Sequence, residues 1–195
     1  MKKTLRLFVL LIALISLSGV PVQAKTTAKN WYKKELKKTS GKYKYKKKTY
    51  KRRNFSHYAV VDINKDGTKE LVLSNVGGSH LFDGNKAIVL TYYKKKVKPL
   101  LVVKSNRNIS LSVNKKTKTL AVIRPGSSEV ITQVYKLKSG ALKTVKKLEW
   151  NRHPYTKEEA YQVDGKYTSY NKYNGFVKKY DLSNTGNDLI FKAIK

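Results

Sequence analysis

The sequence predicts a mainly β protein. It reads as an antiparallel meander of about eight strands in two blade-like repeats, folded as a sandwich or an open barrel, with a short helix at each end. Three observations predict it. From residue 57 to 150, runs rich in Val, Ile, Leu and Tyr alternate with short Gly, Asn and Lys turns, the pattern of short strands. Within that region the sequence repeats itself. Outside it, residues 27–38 and 169–180 place apolar side chains at helical spacing.

The chain opens on "MKKTLRLFVLLIALISLSGVPVQA", a basic start, an apolar run and a small-residue ending at Ala24. This is the pattern of a secretory signal peptide, so residues 1–24 are expected to be removed and the protein to be secreted, either free or held non-covalently at the cell wall. No later segment is long and apolar enough to span a membrane. The chain has 195 residues, and 171 remain after residue 24, a length that suits one domain. It contains no Cys, so no disulfide staples the fold. The leader holds Lys2, Lys3 and Arg6; of 43 basic and 12 acidic residues the remainder keeps 40 and 12, a formal +28. Such a field attracts polyanions.

Residues 25–56 are expected to form a helix and a basic arm. Thr26 or Thr27 caps the helix, and Trp31, Tyr32 and Leu36 give it an apolar face. The arm "GKYKYKKKTYKRRNF" reads as an exposed extension or an edge strand. Residues 57–195 form the β-rich domain. Its two repeats are expected at 57–104 and 108–149. "INKDGTKELVL" aligns with "VNKKTKTLAVI", with a one-residue gap at the Gly, so that Leu71 falls on Leu120. "GGSH" at 77–80 falls on "GSSE" at 126–129. Leu90, Tyr92, Val97 and Leu100 keep the spacings of Tyr135, Leu137, Leu142 and Val145. The period is about 45 residues, that of a propeller blade, but two blades cannot close a propeller. After Trp150, "YQVDGKYT" predicts a hairpin turning at Asp164-Gly165. "SYNKYNGFVKKY" predicts a helix capped by Ser169, and "DLIFKAIK" one added strand.

The few carboxylates concentrate in one place. Asp62, Asn64, Asp66 and Glu70 lie within nine residues, in the pattern D-x-N-x-D-G-x-x-E-L. Oxygen side chains at positions 1, 3 and 5 of a tight loop converge, Gly67 permits the turn, and the Thr68 carbonyl and Glu70 complete an oxygen-rich shell suited to Ca²⁺. In the second repeat the aligned residues are Ser112, Asn114, Lys116 and Thr119, so the apolar frame persists without the acids.

The loop begins like an EF-hand but departs from it: position 12 is Leu73, and the flanks are strand-like. It better resembles the hairpin calcium loop of FG-GAP-type propeller repeats, seen also in uncharacterised secreted proteins of Gram-positive bacteria. With them the chain shares a leader, a short helix, the acidic hairpin, a "GGS" turn and Tyr/Lys hairpins, over roughly residues 27–150. The resemblance implies a β module with a structural Ca²⁺ at Asp62, Asn64, Asp66, Thr68 and Glu70. It does not imply an enzyme.

The basic stretch suggests a second site. Lys42, Lys44, Lys46, Lys47, Lys48, Lys51, Arg52 and Arg53 are placed to track phosphates, and Tyr43, Tyr45 and Tyr50 to stack on sugars or bases. Catalytic signals are weak. Ser79 and His80 are neighbours in sequence, His57 and His153 stand alone, and there is no phosphate-binding or dinucleotide motif. The sequence therefore points to a monomeric, secreted, non-enzymatic binding module for an anionic polymer: teichoic acid, acidic polysaccharide or nucleic acid. The alternative, a wall-associated hydrolase, needs two converging carboxylates, and the sequence offers no convincing pair.

Overall fold

The computed structural model describes residues 22–195. The leader reading of residues 1–24 lies almost wholly outside the described residues. Helix α1 (Val22–Leu36) begins earlier than expected and runs through Thr26 and Thr27, so neither residue is its cap. Among the described residues no helix is long and apolar enough to cross a membrane.

The protein is mainly β and antiparallel, with fourteen strands among the described residues rather than about eight. The basic arm is a hairpin of β1 (Lys42–Tyr45) and β2 (Lys48–Lys51). A five-stranded sheet follows the spatial order β14-β3-β4-β6-β7, and a seven-stranded sheet the order β13-β12-β11-β10-β9-β8-β5. In the first, β3 (His57–Val61), β4 (Glu70–Ser74), β6 (Lys86–Tyr93) and β7 (Lys96–Lys104) form a meander. In the second, β8 (Ile109–Asn114), β9 (Thr119–Pro125), β10 (Glu129–Lys138) and β11 (Ala141–Arg152) do the same. The additional strands are short. They are β5 (His80–Leu81), β12 (Glu159–Val163), β13 (Lys166–Thr168) and β14 (Lys192–Ala193), together with the arm. Neither sheet closes on itself. The two pack face to face over one core that draws Val72 and Val89 from one sheet and Leu111, Leu120 and Val122 from the other.

The two meanders correspond strand by strand. Leu71 pairs with Leu90 in one and Leu120 with Tyr135 in the other. Each third strand carries a bulge at the same place, between Val89 and Leu90 and between Val134 and Tyr135. Each last hairpin turns through two residues of positive φ, Lys94-Lys95 at 50° and 61° and Ser139-Gly140 at 50° and 65°. That is the type I′ geometry that matches strand twist. The first hairpin departs from the sequence alignment. Eight residues, 62–69, join Val61 to Glu70, whereas four, 115–118, join Asn114 to Thr119. The acidic loop is thus a four-residue enlargement, larger than the single Gly gap.

The faces of the two meanders are exchanged. Leu71, Leu90, Tyr92 and Val97 face away from the shared core, while their counterparts Leu120, Tyr135, Leu137 and Leu142 face into it. Conversely, Val72, Val89 and Leu100 face the core, and their counterparts Ala121, Val134 and Val145 face outward. One unit therefore packs its front on the back of the other, as stacked repeats do. Such a stack leaves an apolar face at each end, and each needs a cap. The cap on the first unit is α1 with the β1–β2 hairpin, through Trp31, Tyr43 and Phe55. The Trp31 ring stacks on Tyr92 at 6.0 Å, and its indole N–H donates to the Lys69 carbonyl at 2.8 Å. The cap on the second unit is α2 (Tyr170–Tyr180), through Phe176 and Tyr180, with Ser169 as its N-cap. The Asp164-Gly165 turn joins β12 to β13 where the sequence placed it.

The C-terminal tail closes the side of the stack. The Leu189 N–H donates to the Leu111 carbonyl at the edge of one sheet, and β14 pairs with β3 at the edge of the other. Leu189 and Phe191 enter the shared core between them. The tail thus covers the β8 and β3 sides, while β7 and β13 are the opposite edges of the two sheets.

Candidate functional site

Two features concentrate polar chemistry: the acidic loop between β3 and β4, and a groove beside the basic hairpin.

The acidic loop is held by its own acids. Asp62 accepts from the Asp66 and Gly67 N–H groups at 3.2 and 2.9 Å. Asp66 accepts from the Thr68 N–H and from the Asn64 amide, both at 2.8 Å. Lys65 and Gly67 take positive φ, 56° and 87°, which lets the loop fold back on Asp62. One atom is left over. The Asn64 Oδ1 is buried from solvent and accepts no hydrogen bond. A buried acceptor without a donor costs about 1–3 kcal/mol, and a cation beside it removes that cost.

Glu70 lies apart from the loop's other acids. It is fully buried, and its carboxylate accepts from the Ile63 N–H at 3.0 Å and the Thr91 hydroxyl at 2.9 Å. Strand alternation puts it on the side of Val72, toward the shared core, away from the loop's mouth. Burial pushes its carboxyl up to about 7. The Ile63 and Thr91 hydrogen bonds oppose the shift, and Asp66 and Asp62 add to it. Among the described residues no three acidic or histidine side chains converge on one point. Asp62, Asn64 and Asp66 supply the loop's own side-chain oxygens, and Glu70 lies beneath them, buried against Ile63 and Thr91.

The basic stretch divides. Tyr43 and Arg52 are buried and belong to the cap on the first unit, which removes them from any polymer-binding surface. The Tyr43 hydroxyl donates to the buried Glu35 at 2.8 Å, and the Arg52 guanidinium to the Phe55 and Leu36 carbonyls at 2.8 and 3.2 Å. Alternation along β1 turns Tyr43 inward, and the 3-10 turn Arg52–Asn54 folds Arg52 under the hairpin. Lys42, Lys51 and Arg53 line a hollow of about 620 Å³, and Lys44 is exposed.

The remaining residues form a groove. Tyr45, Lys46, Lys47, Lys48 and Tyr50 line one side of a trough of about 640 Å³, and Val102, Lys104 and Arg124 line the other. No acidic residue lines it. Arg124 is half-buried, and its guanidinium donates to the Gln133 side-chain oxygen at 3.1 Å, which also accepts from the Tyr135 hydroxyl at 3.0 Å. Burial holds Arg124 below the ordinary arginine value; Tyr135 opposes that shift and Arg107 adds to it. An arginine stays charged in proteins, so this is a cation short of counter-charge. Lys104 and Arg124 were not anticipated. Each is one lysine or arginine among many, and only the packing of β7 and β9 against the hairpin sets them apart.

The Ser79 hydroxyl and His80 Nδ1 lie 2.9 Å apart. Ser56 and His57 make the same contact at the same distance, so it is the local geometry of adjacent Ser and His side chains. Burial raises the Asp188 carboxyl above its ordinary value, and His80 and Ser112 oppose that shift; among the described residues no hydrogen bond joins this carboxylate to the His80 ring.

Comparison with known proteins returns no matching family model, no matching curated protein and no matching solved structure.

Proposed function

We propose that the chain works as a secreted, non-enzymatic binding module that associates with anionic polymers through its basic surface. The observation that carries this reading is the groove beside the hairpin, where cations from three separate elements converge with no carboxylate among them. Four of the twelve acids are ion-paired elsewhere, away from the groove. Glu35, Glu129, Asp164 and Glu149 are paired with Lys38, Arg107, Lys146 and Lys147. The groove's charge is left to attract a partner.

In this reading the acidic loop is a structural calcium site. Asp62, Asn64, Asp66 and the Thr68 carbonyl hold the ion, which supplies the missing partner for Asn64 Oδ1 and ties the β3–β4 connection shut. Extracellular sites of this kind bind at about 10⁻⁴–10⁻³ M, and the surrounding positive field weakens the binding further.

Retention on an immobilised polyanion tests the polymer half. The protein is expected to be retained at low salt, with log K falling linearly in log salt as counterions are released. A neutral matrix of the same backbone should not hold it. Failure to bind any polyanion at low salt, or binding indifferent to salt, contradicts the reading.

A further inference from the structure

We infer that the groove between the β1–β2 hairpin and the β7 and β9 strands binds a polyol-phosphate chain, a phosphodiester polymer without bases. This rests on the polymer-binding reading above and narrows it to one place and one chemistry.

The fold builds this concentration of charge. Lys46 and Lys47 come from the hairpin turn, Lys48 from the start of β2, Lys104 from the end of β7 and Arg124 from β9. None of the five takes part in an ion pair among the described residues. Gathering them costs mutual repulsion, and an anion in the trough relieves it. Arg124 is fixed on Gln133 through one amino group and keeps further donors in a planar fork. That fork matches the two free oxygens of a phosphodiester. The tyrosines decide against bases. The Lys46 ammonium sits over one face of the Tyr45 ring at 5.7 Å, where it competes with a stacked base. Tyr50 is partly packed into the cap cluster with Tyr43 and Trp31. The two rings therefore serve as walls, and the groove reads charge along a backbone.

The test measures the affinity of the purified protein for two probes of equal phosphate number, a poly(glycerol phosphate) chain and an oligothymidylate. Two groove variants are compared, K104Q/R124Q and K47Q/K104Q. The second changes only exposed side chains, so it keeps the fold. K172Q/K178Q, on the exposed side of α2, is the charge-matched control. The expected result is similar affinity for both probes, a loss of about tenfold in each groove variant with a shallower salt slope, and a loss of less than about threefold in the control. An oligothymidylate bound about tenfold more tightly would overturn the base-free assignment in favour of single-stranded nucleic acid. Equal losses in groove and control variants would overturn the groove while leaving polymer binding intact. No binding of either probe by the unaltered protein would sink both.

Discussion

Replacing Glu70 with Gln should raise the stability of the calcium-free protein at pH 8 by about 3 kcal/mol and change little at pH 4.5. Glu70 is fully buried without a cationic partner, and its carboxyl is raised to about 7 from an ordinary 4.5, mainly by burial. A folded-state pKa above the unfolded value means that the native protein holds the proton more tightly. Stability therefore falls as pH rises from about 4.5 to about 7, and the cost stays at its full size above that. An amide at this position keeps an oxygen for the Ile63 N–H. It offers an N–H to the Thr91 hydroxyl, which accepts as readily as it donates. Urea unfolding of both proteins in chelator across this pH range measures the effect. A pH-independent difference, or a less stable E70Q, would show that the ionised carboxylate is not under strain.

Gly140→Ala should cost about 2–4 kcal/mol, through left-handed backbone strain and overpacking. The backbone alone does not explain the glycine. Lys95 occupies the equivalent turn position with φ 61°, against 65° at Gly140, and carries a full side chain. The difference lies in the neighbour. A Cβ on Gly140 would come within 2.6 Å of Tyr93 Cδ1 and closer still to Cγ, because the tip of the second unit's hairpin rests on the end of β6. Removing the ring should therefore restore part of the loss; the Tyr93 Cβ, 2.9 Å from the new methyl, and the backbone strain remain. The double-mutant cycle with Tyr93→Ala should show a coupling of about 1–3 kcal/mol. Additive effects would mean that the two tips do not touch.

Much of the fold was legible from local chemistry. The Ser169 cap, the Asp164-Gly165 turn and the strand runs each declare themselves within a few residues. The strand count was only partly legible: β5 is two residues and becomes a strand only by pairing with β8, whereas the strand expected in "DLIFKAIK" is present as the two residues of β14, paired with β3. The exchange of faces between the repeats was hidden for a different reason. "ELVLS" is buried on both sides, so alternation there cannot say which side meets the other sheet. At the candidate sites, the acidic loop announced itself by composition, and its turn depends on Asp62 and Gly67 as the motif suggests. The burial of Glu70 was not legible, because the motif counts positions along the chain, while the pleat sets the direction of each side chain. Tyr43 and Arg52 carried no sign of burial among so many tyrosines and cations. The groove needed Lys104 and Arg124, which only the tertiary fold brings to the hairpin.

The most direct test of the calcium-stabilised module is thermal unfolding in chelator and in several millimolar Ca²⁺. The unaltered protein is compared with Asp62→Asn/Asp66→Asn, which keeps oxygen acceptors for the loop's N–H groups and removes its charge. Preferential binding to the folded state should raise stability by about 1–2 kcal/mol, a few degrees in Tm. The variant should lose that increment. An unaltered protein whose Tm is the same in chelator and in calcium would contradict the account, leaving Asp62 and Asp66 as the chemistry of a turn.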